Sequence, residues 1–197
     1  MAADPGQGAV LRLTAASCVL RPWRKSDAAS LVEHANNHKV ARHLRDRFPH
    51  PYTRAHAVAF LGHVAAADLT TNFAIVVDDA AIGGIGYIRG SDVERFSAEV
   101  GYWLGETYWG RGIMTHAVHR LTQHLFEDLK LLRAFALPLA DNRGSARVLE
   151  KAGYEREALL RASCVKYGQP RDQLLYARVN PTWKPGPREQ EEAPPRK

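Results

Sequence analysis

The chain lacks any long hydrophobic run. None of its apolar stretches approaches the roughly 18 residues that a membrane-spanning helix requires. Residues 1–6 also lack the basic start and apolar centre of a secretory signal. Two cysteines, Cys18 and Cys164, lie far apart and indicate no disulfide framework. We therefore expect a cytoplasmic protein with free thiols and no membrane partner.

Three common ligand-binding motifs are also missing. The sequence has no Cys-x-x-Cys, and its closely spaced histidines do not form the His-Glu-x-x-His pattern of zinc hydrolases, so we expect no metal site. No Gly-Lys-Ser/Thr ending marks a Walker A loop. A dinucleotide fingerprint fails as well, because Arg89 stands where Gly84-Ile85-Gly86 would need a third glycine.

The net charge is +6, and nearly all of it belongs to residues before the tail that starts at Asn180. Such an excess could attract nucleic acid, an acidic protein surface or a cofactor with several phosphates. No dense Lys/Arg cluster interleaved with aromatics is visible, which disfavours dedicated nucleic-acid binding. A basic adaptor that binds RNA or the ribosome stays as an alternative.

The length of 197 residues predicts one domain. We place it at residues 10–179, after a flexible segment at 1–9 and before a disordered Pro/Glu-rich tail at 180–197. Apolar alternation and turn residues predict a strand or hairpin at 10–21 and strands at 72–77, 81–89, 99–104, 133–137, 154–162 and 173–179, the last two around a turn at Gly168-Gln169-Pro170. Capping residues and apolar spacing predict helices at 26–36 with Ser26 as N-cap, 53–67 with Thr53 as N-cap, 112–128, and 142–151 with Asp141 or Asn142 as N-cap and Gly153 after its end. Gly83-Gly84 predicts a bulge or a close backbone approach.

A glycine-rich loop joins one of these strands to the third helix, and it reads Tyr108-Trp109-Gly110-Arg111-Gly112. This layout directs several backbone N–H groups at one phosphate, because the first N–H groups of a helix lack intrahelical partners and its N-terminus carries partial positive charge. The glycines permit close approach, and Arg111 can add charge-assisted hydrogen bonds. From these residues alone, an ordinary turn into a helix is the alternative.

Three segments in order carry a family resemblance. The glycine loop resembles the pyrophosphate loop of the GCN5-related N-acetyltransferases (GNAT), in the branch of the ribosomal-protein N-terminal acetyltransferases. The segment from Asn142 to Tyr154 is similar to that family's Asn-x-x-Ser-x-x-Val-Leu-Glu-Lys-Ala-Gly-Phe segment. The opening Leu20-Arg21-Pro22-Trp23, followed by Asp27-Ala28, is similar as well. Together the matches cover about residues 10–179.

The resemblance implies the GNAT fold, a mixed α/β (α+β) architecture. Its central twisted sheet is mixed but mostly antiparallel, with helices on both faces. The strands at 99–104 and 133–137 would splay apart, and the pantetheine of acetyl-CoA would lie in the opening. The implied co-substrate is acetyl-CoA, although the residues do not separate acetyl from succinyl or other acyl donors.

The resemblance also implies the residues that bind acetyl-CoA. The pyrophosphate would meet the loop residues Trp109, Gly110, Arg111, Gly112, Ile113, Met114 and Thr115. At Met114 many relatives have a smaller residue, so we expect a narrower approach. The pantetheine would contact the backbone of Tyr102, Trp103 and Leu104, together with Asn142 and Ser145. A backbone N–H near Tyr102 directed at the thioester oxygen would stabilise the oxyanion by about 3 kcal/mol.

The implied catalytic residues are Glu99, Ser145 and Tyr102. Glu99 matches a catalytic glutamate of several family members, and we expect it to act as general base through a water, because an ordinary carboxylate is a weak base. Many relatives have a tyrosine acid where Leu149 stands, so Ser145 is the expected acid and Tyr154 a weaker alternative. A glutamate proposed as base in part of the branch falls on Cys164 here.

The expected reaction is acetyl transfer to a primary amine by direct attack in a ternary complex. Protein N-terminal α-amines or small-molecule amines are favoured over lysine, because they lose a proton more easily near neutral pH. The segment from Ser26 to Ala67 should shape the acceptor pocket. A non-catalytic acyl-CoA-binding regulator is another alternative. The oligomeric state is open, a homodimer included.

Overall fold

The computed structural model describes residues 12–66 and 71–186. Its strands are β1 (Leu13–Thr14), β2 (Val19–Pro22), β3 (Asn72–Val77), β4 (Ala80–Arg89), β5 (Ser97–Leu104), β6 (Arg133–Ala136), β7 (Glu155–Lys166) and β8 (Gln169–Val179). Its α-helices are α1 (Ala28–Ala35), α2 (His38–Ala41), α3 (Arg54–Ala65), α4 (Ile113–Gln123) and α5 (Arg143–Lys151).

The strands form one sheet in the order β1-β2-β3-β4-β5-β6-β8-β7. Every neighbouring pair is antiparallel except β5 and β6, which run parallel. The sheet is therefore mixed and mostly antiparallel, as the resemblance implied.

The sheet separates two hydrophobic cores, one on each of its faces. On β3, Phe73 and Ile75 belong to one core while Ala74 and Val76 belong to the other, because successive side chains of a strand point to opposite faces. The first core also takes the apolar faces of α4 and α5, and the second takes those of α1 and α3. Helices thus cover both faces, as expected.

The close backbone approach predicted at Gly83-Gly84 is present. A Cβ on Gly83 would lie 2.5 Å from the carbonyl oxygen of Trp103, and one on Gly84 would lie 2.7 Å from the Trp103 indole nitrogen. The register between β3 and β4 also shifts next to Gly83. Only glycine lets the two neighbouring strands pack at this distance.

The helix predicted at 112–128 has the expected apolar stripe but not one geometry throughout. Ile113, Ala117, Leu121 and Leu125 are all buried. The α-helix ends at Gln123, and His124–Asp128 form a π-helical turn. The apolar spacing does not distinguish these two kinds of helix.

The prediction that Ser26 caps the first helix is wrong. The chain enters α1 through a 3₁₀ turn, Lys25–Asp27, and the group that satisfies its start is the Asp27 carboxylate, which accepts from the Arg24 N–H at 2.8 Å. Asp27 also accepts two hydrogen bonds from the Arg21 guanidinium, at 2.7 and 2.8 Å. Both side chains are buried. The Arg21–Asp27 pair explains why the first family-like segment, at residues 20–28, has an arginine and an aspartate six positions apart.

Other local predictions hold with small changes. Thr53 caps α3, Asn142 caps α5, and Gly153 follows α5 with φ of +84°. The hairpin of β7 and β8 is longer than predicted, because Gln169 and Pro170 are paired strand residues rather than part of the turn. The short helix α2 was not predicted.

The predicted terminal segments fall largely outside the described residues. Of the tail, residues 180–186 are described, and there Asn180 is buried and the Trp183 ring packs on Phe96. In residues 12–66 and 71–186 no helix has the length and apolarity to cross a membrane. Nor do three or more His, Cys, Asp or Glu side chains in those ranges form a group suited to a metal ion.

We expect Asp27→Asn to lower the free energy of unfolding by about 3 kcal/mol at pH 7, because it leaves the Arg21 charge buried without its partner. Burial by itself would raise the pKa of Asp27, but the hydrogen bonds and charges of Arg21 and Arg24 outweigh it and hold the pKa below the usual 3.8. The stabilisation is therefore present above the unfolded-state pKa and lost as pH falls through the folded-state pKa.

Urea denaturation at pH 7 and at pH 3 measures both effects, and the wild type and the variant should differ less at pH 3. Glu157→Gln is the control, because its ion pair with Arg133 is partly exposed, with 27% of the Arg133 and 39% of the Glu157 side chain accessible, and should contribute no more than about 1 kcal/mol. An equal loss in the two variants would contradict the assignment.

Candidate active site

The parallel strands β5 and β6 separate after three paired positions. Pairing runs from Ser97 with Arg133 to Glu99 with Phe135, and the described residues contain no further pair between these strands. Strand β5 stays with β4 as far as Leu104. The chain after β6 instead follows β8, where the Leu174 N–H donates to the Pro138 carbonyl at 2.9 Å. A wedge-shaped opening results, with a free strand edge on its β5 side.

The glycine loop stands beyond the end of β5. Gly110 and Gly112 have φ of +76° and +77°, a conformation that side chains rarely adopt, and Gly112 is the N-cap of α4. No side chain caps this helix, and His116 donates the hydrogen bond to the Gly112 carbonyl that closes its first turn. The N–H groups of the preceding residues, 113–115, have no intrahelical partner at this position and point out of the helix start.

The loop is held by its aromatic residues. The Trp109 indole N–H donates to the Leu104 carbonyl at 2.8 Å. The Arg111 guanidinium lies 5.2 Å from the centre of the Tyr108 ring. The expectation that Met114 narrows the approach is wrong, because its side chain is buried in the core. Thr115 is half-buried one residue further along α4.

Tyr102 and Ser145 meet across the opening. Their hydroxyl oxygens are 2.7 Å apart, and the Ser145 N–H donates to the Asn142 side chain at 3.1 Å as part of the α5 cap. Burial is the largest cause that raises the pKa of the Tyr102 phenol well above its ordinary value of 10, so the phenol keeps its proton at neutral pH. From the sequence we assigned contacts only to the backbone of Tyr102, and we did not predict the contact of its side chain with Ser145.

Glu99 lies on the opposite side of β5 from Tyr102, and its carboxylate forms an ion pair with Arg45. Arg45 comes from the segment between α2 and α3, and its side chain is 59% exposed, whereas that of Glu99 is 24% exposed. The carboxylate of the predicted general base is thus paired with a guanidinium on a largely exposed side chain.

A cavity of about 770 Å³ joins the two sides of the opening. Its lining includes Glu99, Tyr102, Trp103, Asn142 and Ser145 of the predicted site. The wall opposite the sheet comes from the predicted acceptor segment and includes His43, Arg45, Arg47, Phe48, Tyr52, His56, Phe60 and His63. A Cβ on Gly101, between the two sides, would meet no atom within 4 Å, so the floor of the cavity is open there.

His43 is a cavity residue that the sequence did not single out. Its Nδ1 is buried and has no hydrogen-bond partner among the described residues, although Asp141 Oδ1 lies 3.9 Å away. Burial, followed by the charge of Arg42, lowers the pKa of His43 below 6.5 despite Asp141, so the ring is neutral at pH 7. Its position depends on contacts between α2, the β6–α5 loop and the hairpin, which no local pattern reveals.

Three residues considered in the sequence lie away from the cavity. Tyr154 is buried and shares a hydrogen bond with Thr122 at 2.8 Å, and burial raises its pKa to about 12. Leu149 is buried in the same core. Cys164 lies on β7 with its thiol 3.7 Å from the Arg171 carbonyl. Tyr154 is therefore a core residue and not an alternative acid.

Comparison with known proteins agrees with this geometry. Residues 18–155 match the family model of the acetyltransferase (GNAT) domain. The chain belongs to the GNAT family. The match runs from the residue before β2 to the first residue of β7, so it includes the glycine loop, the opening and α5.

Individual GNAT relatives include ribosomal-protein acetyltransferases. A probable N-acetyltransferase of Bacillus subtilis, YjcK, is 38% identical over 107 residues, which are 53% of this chain and 58% of the relative. The ribosomal-protein-serine acetyltransferase of Escherichia coli is 32% identical over 107 residues, 54% of this chain and 59% of that protein. The matches thus span less than two thirds of these curated relatives.

Among solved structures, Mycobacterium smegmatis RimJ in complex with CoA-disulfide superposes with a TM-score of 0.74. It is 27% identical, and the superposition covers 86% of each chain. The similarity therefore extends over most of the described fold as well as over the family motif.

Proposed function

We propose that the protein is an acetyl-CoA-dependent N-acetyltransferase that acts on a primary amine by direct attack in a ternary complex. The observation that carries the proposal is the opening between β5 and β6. The glycine loop stands at one end of it, and one cavity joins Glu99, Tyr102 and Ser145 at the other. The name of one relative, a ribosomal-protein-serine acetyltransferase, favours a protein as the acceptor, and we propose its N-terminal α-amine, while a small-molecule amine stays within the proposal.

The glycine loop fits a pyrophosphate. Two glycines with positive φ bring the backbone to the surface without side chains, and the uncapped start of α4 adds N–H groups and a partial positive charge. Trp109, Arg111 and Ile113 to Thr115 would contribute backbone contacts, and the Arg111 side chain can turn from the Tyr108 ring toward a phosphate oxygen.

The free edge of β5 fits the amide groups of a pantetheine. Tyr102, Trp103 and Leu104 have no strand partner from β6 in the described residues, although the Leu104 carbonyl accepts from the Trp109 indole N–H. An extended chain with its own amides would bind the backbone groups on this edge that have no such partner. The Asn142 side chain, which accepts from the Ser145 N–H at the start of α5, would contact the pantetheine from the α5 side of the opening.

The acetyl thioester supplies an electrophilic carbonyl, and the protein supplies the proton transfers around it. Glu99 would take the proton of the amine through a water, once its carboxylate is released from Arg45. Ser145 would donate a hydrogen bond to the departing sulfur. A phenol that keeps its proton at neutral pH can donate to Ser145 Oγ, which leaves the Ser145 hydrogen free for that purpose.

The amine itself is selected by the cost of deprotonation. A lysine with pKa of about 10.4 is neutral in roughly one molecule in a thousand near pH 7.4, whereas an α-amine with pKa of about 7.8 is neutral in roughly a quarter. The difference is about 3.5 kcal/mol. A site whose base is a paired carboxylate favours the α-amine.

We expect the double variant Gly110→Asp, Gly112→Asp to weaken acetyl-CoA binding at least about a hundredfold, because two carboxylates would face the pyrophosphate at close range. Aspartate tolerates positive φ better than most residues, so the fold should persist. Isothermal titration calorimetry with acetyl-CoA and with CoA measures the change. Gly62→Asp, an exposed position on α3 with no atom near its Cβ, is the control. Unchanged affinity in the double variant would refute the loop assignment.

We expect Glu99→Gln to lower kcat about a hundredfold with no change in acetyl-CoA affinity, because the amide cannot accept a proton. Initial rates at saturating donor and calorimetry separate the two quantities. Glu155→Gln on β7, an exposed strand carboxylate outside the cavity, should match the wild type. A wild-type rate for Glu99→Gln would remove Glu99 from the mechanism.

We expect a peptide with a free N-terminus and one internal lysine to be acetylated at its α-amine, about 250-fold faster than an N-terminally blocked peptide is at lysine. Mass spectrometry locates the acetyl group. Between pH 7.4 and 8.4 the lysine rate should rise about tenfold and the α-amine rate about threefold, following the neutral fractions. Equal rates at pH 7.4 would contradict the selection by deprotonation cost.

A further inference from the structure

The segment that supplies the wall of the cavity opposite the sheet is strongly basic. Between His38 and Arg54 there are five Lys or Arg residues and one Asp, a net charge of +4, whereas the whole chain has a net charge of +6. The five cations are Lys39, Arg42, Arg45, Arg47 and Arg54, and of these Arg45 and Arg47 line the cavity. A concentration of charge in a segment that borders the cavity produces a field that acts on whatever approaches it.

Ion pairs cancel only part of this charge. Asp46, the single acidic residue of the segment, is held by Lys166 of the hairpin at 2.8 Å, which adds a further cation to the group. Lys39 is paired with Glu106 and Arg45 with Glu99. Arg47 is exposed, lines the cavity, and has no ion-pair partner among residues 12–66 and 71–186. The uncompensated positive charge therefore stands at the mouth.

This positive charge disfavours the binding of an acceptor whose only charged group is its ammonium. The residues that line the cavity include two guanidiniums, Arg45 and Arg47, and one carboxylate, Glu99, which Arg45 already engages. An amine cation would enter against a positive potential unless the same molecule carried negative charge close by. The field thus discriminates among acceptors before any chemistry takes place.

We infer that the acceptor is the α-amine of a peptide segment with acidic side chains directly after its first residue, and that Arg47 is a specificity-determining residue for that charge. The inference rests on the proposed acetyltransferase function. The centroid of the Phe48 ring lies 5.1 Å from that of Tyr52 and 5.6 Å from that of Trp103, and the three rings offer an apolar wall to the first side chain. An extended peptide advances about 3.3 Å per residue, so the following side chains reach the cationic mouth.

The test uses two short peptides of equal length with the same first residue. One has glutamate at its second to fourth positions and the other has arginine there, so that neither contains a lysine. We expect kcat/KM to be at least about tenfold higher for the acidic peptide at low ionic strength, and the ratio to shrink as salt screens the interaction. Arg47→Glu should lower that ratio about tenfold.

Arg161→Glu is the matched control, since it makes the same change of charge at an exposed β7 position that lines no part of the cavity, and it should leave the ratio within about twofold. Calorimetry with CoA on each variant separates this inference from the proposed function. Intact CoA binding with equal rates for the two peptides, or with acetylation of neither, overturns the inference alone. Tighter binding of single-stranded RNA than of either peptide also overturns the inference. Loss of CoA binding in the wild type overturns the proposed function, and the inference with it.

Discussion

The divergence of β5 and β6 is the constraint on which the site depends. Each strand keeps a complete partner on its outer side: β5 stays in register with β4 to its last residue, and the chain after β6 is bound to β8. Pro138 has no N–H to offer across the gap, while its carbonyl is taken by Leu174 and that of Leu137 by the Gln173 side chain at 2.9 Å. The opening is therefore built into the hydrogen bonding of the sheet.

Because side chains alternate along β5, the predicted site residues Tyr102 and Glu99 lie on opposite faces of the sheet. Ala98 and Val100 pack into the core beneath α4, and Tyr102 follows them on that side to reach Ser145 at the start of α5. Glu99 points the other way and meets Arg45. In the proposed mechanism, the proton donor for the leaving group and the proton acceptor for the amine would thus stand on opposite sides of one strand, with Gly101 between them.

Features with a local cause could be predicted from the sequence. The glycines of the loop, the apolar stripe of α4 and the caps of α3 and α5 each depend on residues within a few positions of one another, and all are present in the structure. Ser26 does not cap α1 because a 3₁₀ turn precedes the helix and the Asp27 carboxylate accepts from the Arg24 N–H. Asp27 is in turn held by Arg21, a contact that depends on the position of β2. The Arg45–Glu99 pair joins residues 54 positions apart, and the Tyr102–Ser145 contact spans 43, so no periodicity encodes them.

In the proposed mechanism, the Arg45–Glu99 pair would link recognition of the acceptor to proton transfer. As long as the guanidinium holds the carboxylate, Glu99 is engaged by a residue of the wall opposite the sheet. An acceptor with anionic groups would give Arg45 an alternative partner of the same kind, so that release of the proposed base and binding of the acceptor would become one exchange of ion pairs. Such an exchange costs little, because Arg45 is largely exposed and its pairing is of the weak, solvent-screened type. Arg47, with no carboxylate of its own in the described residues, is then the first cation that an incoming acidic segment meets.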